Sequence, residues 1–281
     1  MKINLHTLIL PRLEIFFLEE WIDHHLQIGV SHIYLYNNGL NSPRLCKAPH
    51  WKNGRNWKRG KVRRLTQEEQ AQKWDKKPDG DYAEELSDKE ITGLLAALSE
   101  KYSGKLSFVP WEWGVDHHHT YPNSQRRAYR HCVQQNDPQG WWLCMDPDEY
   151  INLHSWSSLP DMASCQGSEH KIFRFYQKIF SERQRKKVVR EISTWGYLLT
   201  HTPWKNLTKA PRFQLKAQDI HRTLSRCPKP RALTLHPTDA IIHHYRGDPE
   251  TQGGTVHYKG SSPRDRGFNK IDASMDKYII K

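Results

Sequence analysis

The first forty residues constrain the fold more than any other part of the chain. Ile3 to Leu10 is an apolar run of strand length that closes at Pro11. From Phe17 the spacing changes. Phe17 and Trp21, and likewise Leu18, Ile22 and Leu26, recur at intervals of four, the stripe of an amphipathic helix. Gly29 supplies a stop. Ser31-His-Ile-Tyr-Leu-Tyr36 reads as a second strand that ends in the turn signal Asn37-Asn38-Gly39. A strand, a helix and a strand in so short a span imply a parallel pair joined by a right-handed crossover. The opening therefore predicts an α/β domain with a mostly parallel, Rossmann-like sheet flanked by helices.

The same rhythm returns further on. Leu106-Ser-Phe-Val109 is a short strand capped by Pro110. Ala128, Tyr129, Cys132 and Val133 make one helical stripe, and Asp137-Pro138-Gln139-Gly140 is a turn. Trp141-Trp-Leu-Cys-Met145 is apolar throughout, as expected of a strand buried on both faces of a parallel sheet. Residues 41–104 interrupt this rhythm and read as an insertion or flap, with a basic stretch from Arg44 to Arg64 carrying Trp51 and Trp57 and a helical stripe at Ile91, Leu94, Leu95 and Leu98. After Tyr150 the pattern loosens, with strand signals at Lys171–Tyr176 and Ala240–Tyr245. A single domain over residues 1–281 with an irregular C-terminal half is the expected organisation.

Charge and cysteine usage narrow the function. The chain has 281 residues, with 43 Lys and Arg against 31 Asp and Glu, a formal net charge of +12. Such an excess suits phosphate-bearing partners: nucleic acid, an anionic membrane surface or a nucleotide-linked substrate. The five cysteines are scattered and form no C-x-x-C pair, which argues against a disulfide scaffold or a thiolate zinc site and fits a reducing cytoplasm. No apolar run reaches the roughly 18 residues that a membrane span needs. Met1 to Phe17, broken by His6, Pro11, Arg12 and Glu14, does not read as a signal peptide. A cytoplasmic protein is expected, with the basic patch available for peripheral contact at the inner membrane face.

The chemistry concentrates after the Trp141–Met145 run, at Asp146-Pro147-Asp148-Glu149. In open α/β sheets ligands bind beyond the carboxyl ends of the strands. Residues i and i+2 of an extended chain point the same way, so Asp146 and Asp148 could present two hard carboxylates to Mg²⁺ or Mn²⁺. A solvated turn whose aspartates cap the next segment is the plain alternative. The late strand ends in His243-His244-Tyr245-Arg246, where alternation lets one of the two imidazoles reach a given site. His117-His118-His119 stands in a loop that fixes no ligand geometry. Two rival readings stay open on these residues. The Arg44–Arg64 stretch could track a nucleic-acid backbone or meet anionic lipids, and the carboxylates with the histidines could serve a metal-dependent phosphoesterase.

Four segments, in order, carry a resemblance. They are Glu19-Glu20-Trp21-Ile-Asp-His-His25 running to Tyr36-Asn-Asn38-Gly39, Gln125-Arg-Arg-Ala128-Tyr129-Arg-His131-Cys132, Trp142-Leu-Cys-Met-Asp146-Pro-Asp148-Glu149-Tyr150, and Ile242-His-His244-Tyr245-Arg246. Together they resemble the GT-A glycosyltransferases of the family 92 and family 2-like group, over residues about 13 to 246. That resemblance implies a GT-A domain and a nucleoside-diphosphate sugar donor, with Mn²⁺ or Mg²⁺ as the cation. It further implies an inverting hexosyl transfer to a glycan or lipid-linked saccharide, with nucleic acid not a partner. It makes Asp148 the direct metal ligand and His244 a second, with Asp146 on the ribose, on metal-bound water or on the metal itself. Arg246 would pair with phosphate, Glu14 and Asn38 would line the nucleoside pocket, and Gln125 would touch donor or acceptor. Glu182 and Asp239 are the candidate general bases, and Glu149 a support of the metal loop. The chain departs from the family pattern at Arg12-Leu13-Glu14, where Lys-Asn-Glu is usual, and at Asn37, where an acidic residue is usual.

Overall fold

The computed structural model describes residues 1–9, 11–37, 86–111, 121–180, 196–199, 205–212, 224–225, 231–245 and 270–271. The opening forms strand β1 (Ile3–Ile9), helix α1 (Pro11–Gln27) and strand β2 (His32–Asn37). Helix α2 (Asp88–Lys101) and β3 (Leu106–Pro110) follow, then helix α3 (Tyr121–Asn136) and β4 (Trp141–Cys144). β1 pairs in parallel with β2 and with β4, and β2 pairs in parallel with β3. The spatial order β3-β2-β1-β4 is a Rossmann-type half-sheet.

Alternation along the strands sorts the core into two faces. Leu5, Ile33, Leu35, Leu143 and Met145 pack with Leu18, Trp21 and Ile22 of α1 and with Ile91, Leu95 and Leu98 of α2. Leu8, Tyr34, Tyr36, Trp142 and Cys144 pack with Ala128, Tyr129, Cys132 and Val133 of α3. Helices therefore cover both faces, and the Trp141–Met145 run is buried on both, as its composition implied. α1 starts at Pro11, not at Phe17. Proline at the first helical position needs no N–H partner and arrives with a helical φ, so it opens this helix instead of only ending the strand. The helix ends as expected at Gly29, whose φ of +96° suits glycine and where an added Cβ would stand 2.7 Å from Pro160.

One sequence expectation changes. Part of the span 41–104 is no insertion: α2 is the crossover between β2 and β3. It is capped by Ser87 and Glu90, and Lys101 pairs with Glu19 of α1 at 2.7 Å. Residues 38–85, which include Asn38 and the Arg44–Arg64 stretch, lie outside the described residues, as do His117–His119. The described part of the C-terminal half builds on this frame. It extends the first sheet with β6 (His170–Phe175), β9 (Lys205–Lys209) and β12 (Arg231–Thr234), giving the seven-stranded order β12-β6-β9-β4-β1-β2-β3. β9 runs antiparallel to both β4 and β6. A short helix α4 (Leu159–Cys165) is tied to the turn that follows α1, with Leu159 N donating to Ile28 O at 2.8 Å. β10 (Pro211–Arg212) and β11 (Leu224–Ser225) make a two-stranded ribbon.

A second sheet has the order β14-β8-β7-β13-β5, from β5 (Glu149–Leu153), β7 (Gln177–Phe180), β8 (Gly196–Leu199), β13 (Ala240–His244) and β14 (Lys270–Ile271). β5 is an edge strand, and side chains of α1 satisfy its free edge. Trp21 Nε1 donates to Glu149 O at 2.9 Å, and His24 Nε2 meets Ile151 O at 2.9 Å. Two carbonyls spaced i, i+2 on the strand thus meet two helix residues three apart. The structural content of the Glu-Trp-Ile-Asp-His-His segment is this covered edge. Trp21→Phe should cost about 1–3 kcal/mol, the penalty of a buried carbonyl left without its donor. Urea unfolding of the variant measures it, and an unchanged midpoint would show that the edge does not depend on this bond.

Candidate functional site

The connections of the first sheet reverse between β1 and β4: β1 leads through α1 to β2 on one side, and α3 returns the chain to β4 on the other. Crevices at the carboxyl end of such a reversal are the usual ligand positions of open α/β sheets. Asp146-Pro147-Asp148-Glu149 sits there, in the short link by which the chain leaves the first sheet at β4 and enters the second at β5. The link is a turn, not the extended segment expected from the D-x-D spacing. Glu149 N donates to Asp146 O at 3.1 Å, and Pro147 occupies the second position, where its fixed φ favours a turn. Asp146 and Asp148 consequently face different partners. The turn is fastened at both ends: Met145 N donates to His6 O at 3.1 Å and Tyr245 N to Asp148 O at 2.9 Å.

Asp146 is held on both oxygens. Gln125, buried near the start of α3, donates to Oδ1, and Lys205 Nζ lies 3.2 Å from Oδ2. Lys205, on β9, also lies 2.7 Å from Glu149 Oε2. Glu149 is fully buried; its Oε2 accepts from Asp146 N at 2.9 Å and its Oε1 from Gln177 Nε2 at 2.7 Å. Burial pushes the Glu149 carboxyl up, and Lys205 works against that shift. Burial likewise disfavours the Lys205 ammonium, but the Asp146 and Glu149 carboxylates outweigh it and hold its pKa above the ordinary lysine range. Lys205 is therefore a charged group at neutral pH. Its side chain is 1% exposed, so it acts on its carboxylate neighbours and not on a ligand in the crevice.

Asp148 meets the late histidine. Its Oδ1, buried and without a hydrogen bond among the described residues, lies 3.4 Å from His244 Nε2. The opposite ring nitrogen, Nδ1, lies 3.7 Å from Glu149 Oε1. His243 faces the other way, with Nδ1 3.4 Å from the Tyr245 hydroxyl, as alternation along a strand requires. A six-coordinate divalent cation with bonds near 2.1 Å places neighbouring ligand atoms about 3 Å apart. The Asp148–His244 pair fits that spacing, and among the described residues Asp148 Oδ1 takes no hydrogen bond. Glu149 Oε1, 3.7 Å from Nδ1, is too far for a hydrogen bond and bears on the imidazole through charge alone. Among the described residues no group of three or more His, Cys, Asp or Glu side chains is placed to hold a metal ion.

Other candidates fall differently. Glu14 is buried in the first turn of α1, just past the end of β1. Asp239 stands at the far end of β13, where its side chain accepts from Ser155 Oγ at 2.8 Å and its backbone carbonyl from His154 N. Five residues of strand, about 16 Å, separate it from His244, which removes it from the crevice. Asn38, Glu182 and Arg246 lie outside the described residues. Lys205 and Gln177 were not foreseen. A lone lysine in a basic chain signals a solvated face, and only the antiparallel pairing of β9 with β4 brings it to the acidic turn.

No helix among the described residues is long and apolar enough to cross a membrane. No protein-family model matches the chain, and no curated protein matches it. Among solved structures it is similar to UDP-glucose pyrophosphorylase complexed with UDP-glucose, at 10% identity and a TM-score of 0.30, over 88% of this chain and 92% of that one. It is also similar to the apo form of UDP-glucose pyrophosphorylase, at 10% identity and a TM-score of 0.28, with the same coverage.

Proposed function

We propose that the chain is a glycosyltransferase that moves a hexosyl group from a nucleoside-diphosphate sugar to a hydroxyl of a glycan or lipid-linked saccharide. The observation that carries this reading is the Asp148–His244 pair, 3.4 Å apart at the strand-order reversal, with a buried carboxylate oxygen that takes no hydrogen bond among the described residues. The ordered resemblance of four sequence segments supports it. Asp148 and His244 would grip Mn²⁺ or Mg²⁺, leaving the remaining positions to diphosphate oxygens and water. The cation would supply Lewis-acid neutralisation of the charge that grows on the departing diphosphate.

The chain's own residues divide the other tasks. Asp146, held by Gln125 and Lys205, would accept a hydrogen bond from the donor's ribose or from a water in the crevice. Glu14 and Asn38 would line the nucleoside pocket, and Arg246 would pair with phosphate oxygens. In an inverting transfer, the acceptor oxygen bonds to the anomeric carbon as the bond to diphosphate breaks. The acceptor proton passes to a carboxylate, for which Glu182 is the candidate. Thermal unfolding with a panel of nucleoside diphosphates and their sugars, with and without Mn²⁺, tests this directly. One nucleotide should raise Tm in a Mn²⁺-dependent way. A flat response across the panel would refute the assignment.

A further inference from the structure

Lys205 has a role that the sugar-transfer reading does not require. Its ammonium stands between Asp146 Oδ2 at 3.2 Å and Glu149 Oε2 at 2.7 Å, whereas His244 approaches the other Glu149 oxygen, Oε1, at 3.7 Å. A second cation entering this turn would need those two carboxylate oxygens. We infer that Lys205 is a built-in cation that fills the second metal position of the turn, so that the site takes one divalent ion and no more. This inference rests on the reading of Asp148 and His244 as metal ligands.

The physical argument compares what the carboxylates have with what they would need. Asp146 and Glu149 are brought close together by the turn, and Glu149 is fully buried. Two carboxylates in such a place demand a cation, and a divalent ion in solution would answer that demand. Lys205 answers it covalently from β9. Gln125 on Asp146 Oδ1 and Gln177 on Glu149 Oε1 occupy the oxygens that Lys205 leaves. Glu149 is then free of a metal, with its Oε1 3.7 Å from His244 Nδ1. The arrangement also bears on reaction class. Hydrolysis of phosphate esters by paired ions needs two metals about 3.5–4 Å apart. A fixed ammonium in the second position denies that chemistry while leaving the first position open for a diphosphate leaving group.

The test counts ions. Mn²⁺ is titrated into the full chain, alone and with uridine or guanosine diphosphate, and followed by calorimetry and by electron paramagnetic resonance. The wild type should bind one Mn²⁺ and show no spin-coupled pair. Lys205→Met should bind a second Mn²⁺, give a coupled-pair spectrum, and gain more thermal stability from Mn²⁺ than the wild type does. Lys205→Arg keeps the charge and should stay at one. A coupled pair in the wild type would overturn the inference whether or not the methionine variant folds. A folded Lys205→Met that still binds one ion would overturn it too, while leaving the metal assignment to Asp148 and His244 standing. A wild type that binds no Mn²⁺ under any of these conditions would instead overturn that underlying assignment, and the inference with it.

Discussion

Asp148→Ala should yield a folded protein that has lost Mn²⁺-dependent nucleotide binding and at least about a hundredfold of its transfer rate. The two halves of this expectation come from different atoms of one residue. The turn is fastened through the backbone of residue 148, whose carbonyl accepts from Tyr245 N at 2.9 Å, and alanine keeps that bond. Among the described residues the side-chain Oδ1 accepts no hydrogen bond, so its removal strands no donor there. What is lost is a carboxylate facing His244. Removing groups that merely support a metal ligand costs 10–100-fold, so deleting a ligand should cost no less. Asp239→Ala is the matched control, since that carboxylate bonds Ser155 at the other end of β13 and should leave transfer unchanged. The two variants are compared by circular dichroism, by Mn²⁺-dependent thermal shift and by sugar transfer. A folded Asp148→Ala enzyme with full transfer would remove the metal site from the argument.

What the sequence disclosed depended on how local each signal was. The β1-α1-β2 opening and the α3 stripe were legible because burial on one helix face or on both strand faces leaves a period in the chain itself. The start of α1 was not, because Pro11 serves equally to stop a strand and to open a helix. The acidic turn was visible as composition but not as geometry. Pro147 and the passage from one sheet to the other fold it back, which sends Asp146 toward Lys205 and Asp148 toward His244. The second sheet was hidden because its strands are short and its partners distant: β6 and β7 form nearly one extended run that changes sheets at Tyr176. Lys205 was hidden for the same reason, lying 59 residues from Asp146 along the chain.

Acidification should weaken this protein before its carboxylates titrate. His6 lies on β1 with its ring 4.8 Å from that of Tyr36 and 5.4 Å from that of Tyr129, and its Nε2 is buried without a hydrogen-bond partner. Burial lowers its pKa to about 3, with Asp146 opposing the shift only in part. His25, fully buried in α1, is also held well below the ordinary range. Burial is the main cause and neighbouring His24 adds to it, against the bond from Nδ1 to Trp21 O. Both rings stay neutral in the folded chain, whereas in the unfolded chain they take up protons below about pH 6.5. The unfolded state therefore binds more protons, and stability is complete above pH 6.5 and falls as the pH drops below it. At pH 5 the neutral His6 ring should have cost about 2 kcal/mol, a sizeable part of a typical domain's stability, and His25 acts in the same direction. Glu149, whose pKa is raised by burial, acts with the opposite sign, so the decisive quantity is a difference between proteins. Urea unfolding at pH 7.5 and pH 5 should show that His6→Gln loses about 2 kcal/mol of the wild-type pH dependence. Equal pH dependence in the two proteins would mean that His6 accepts a proton in the folded chain, and the buried neutral imidazole would have to be abandoned.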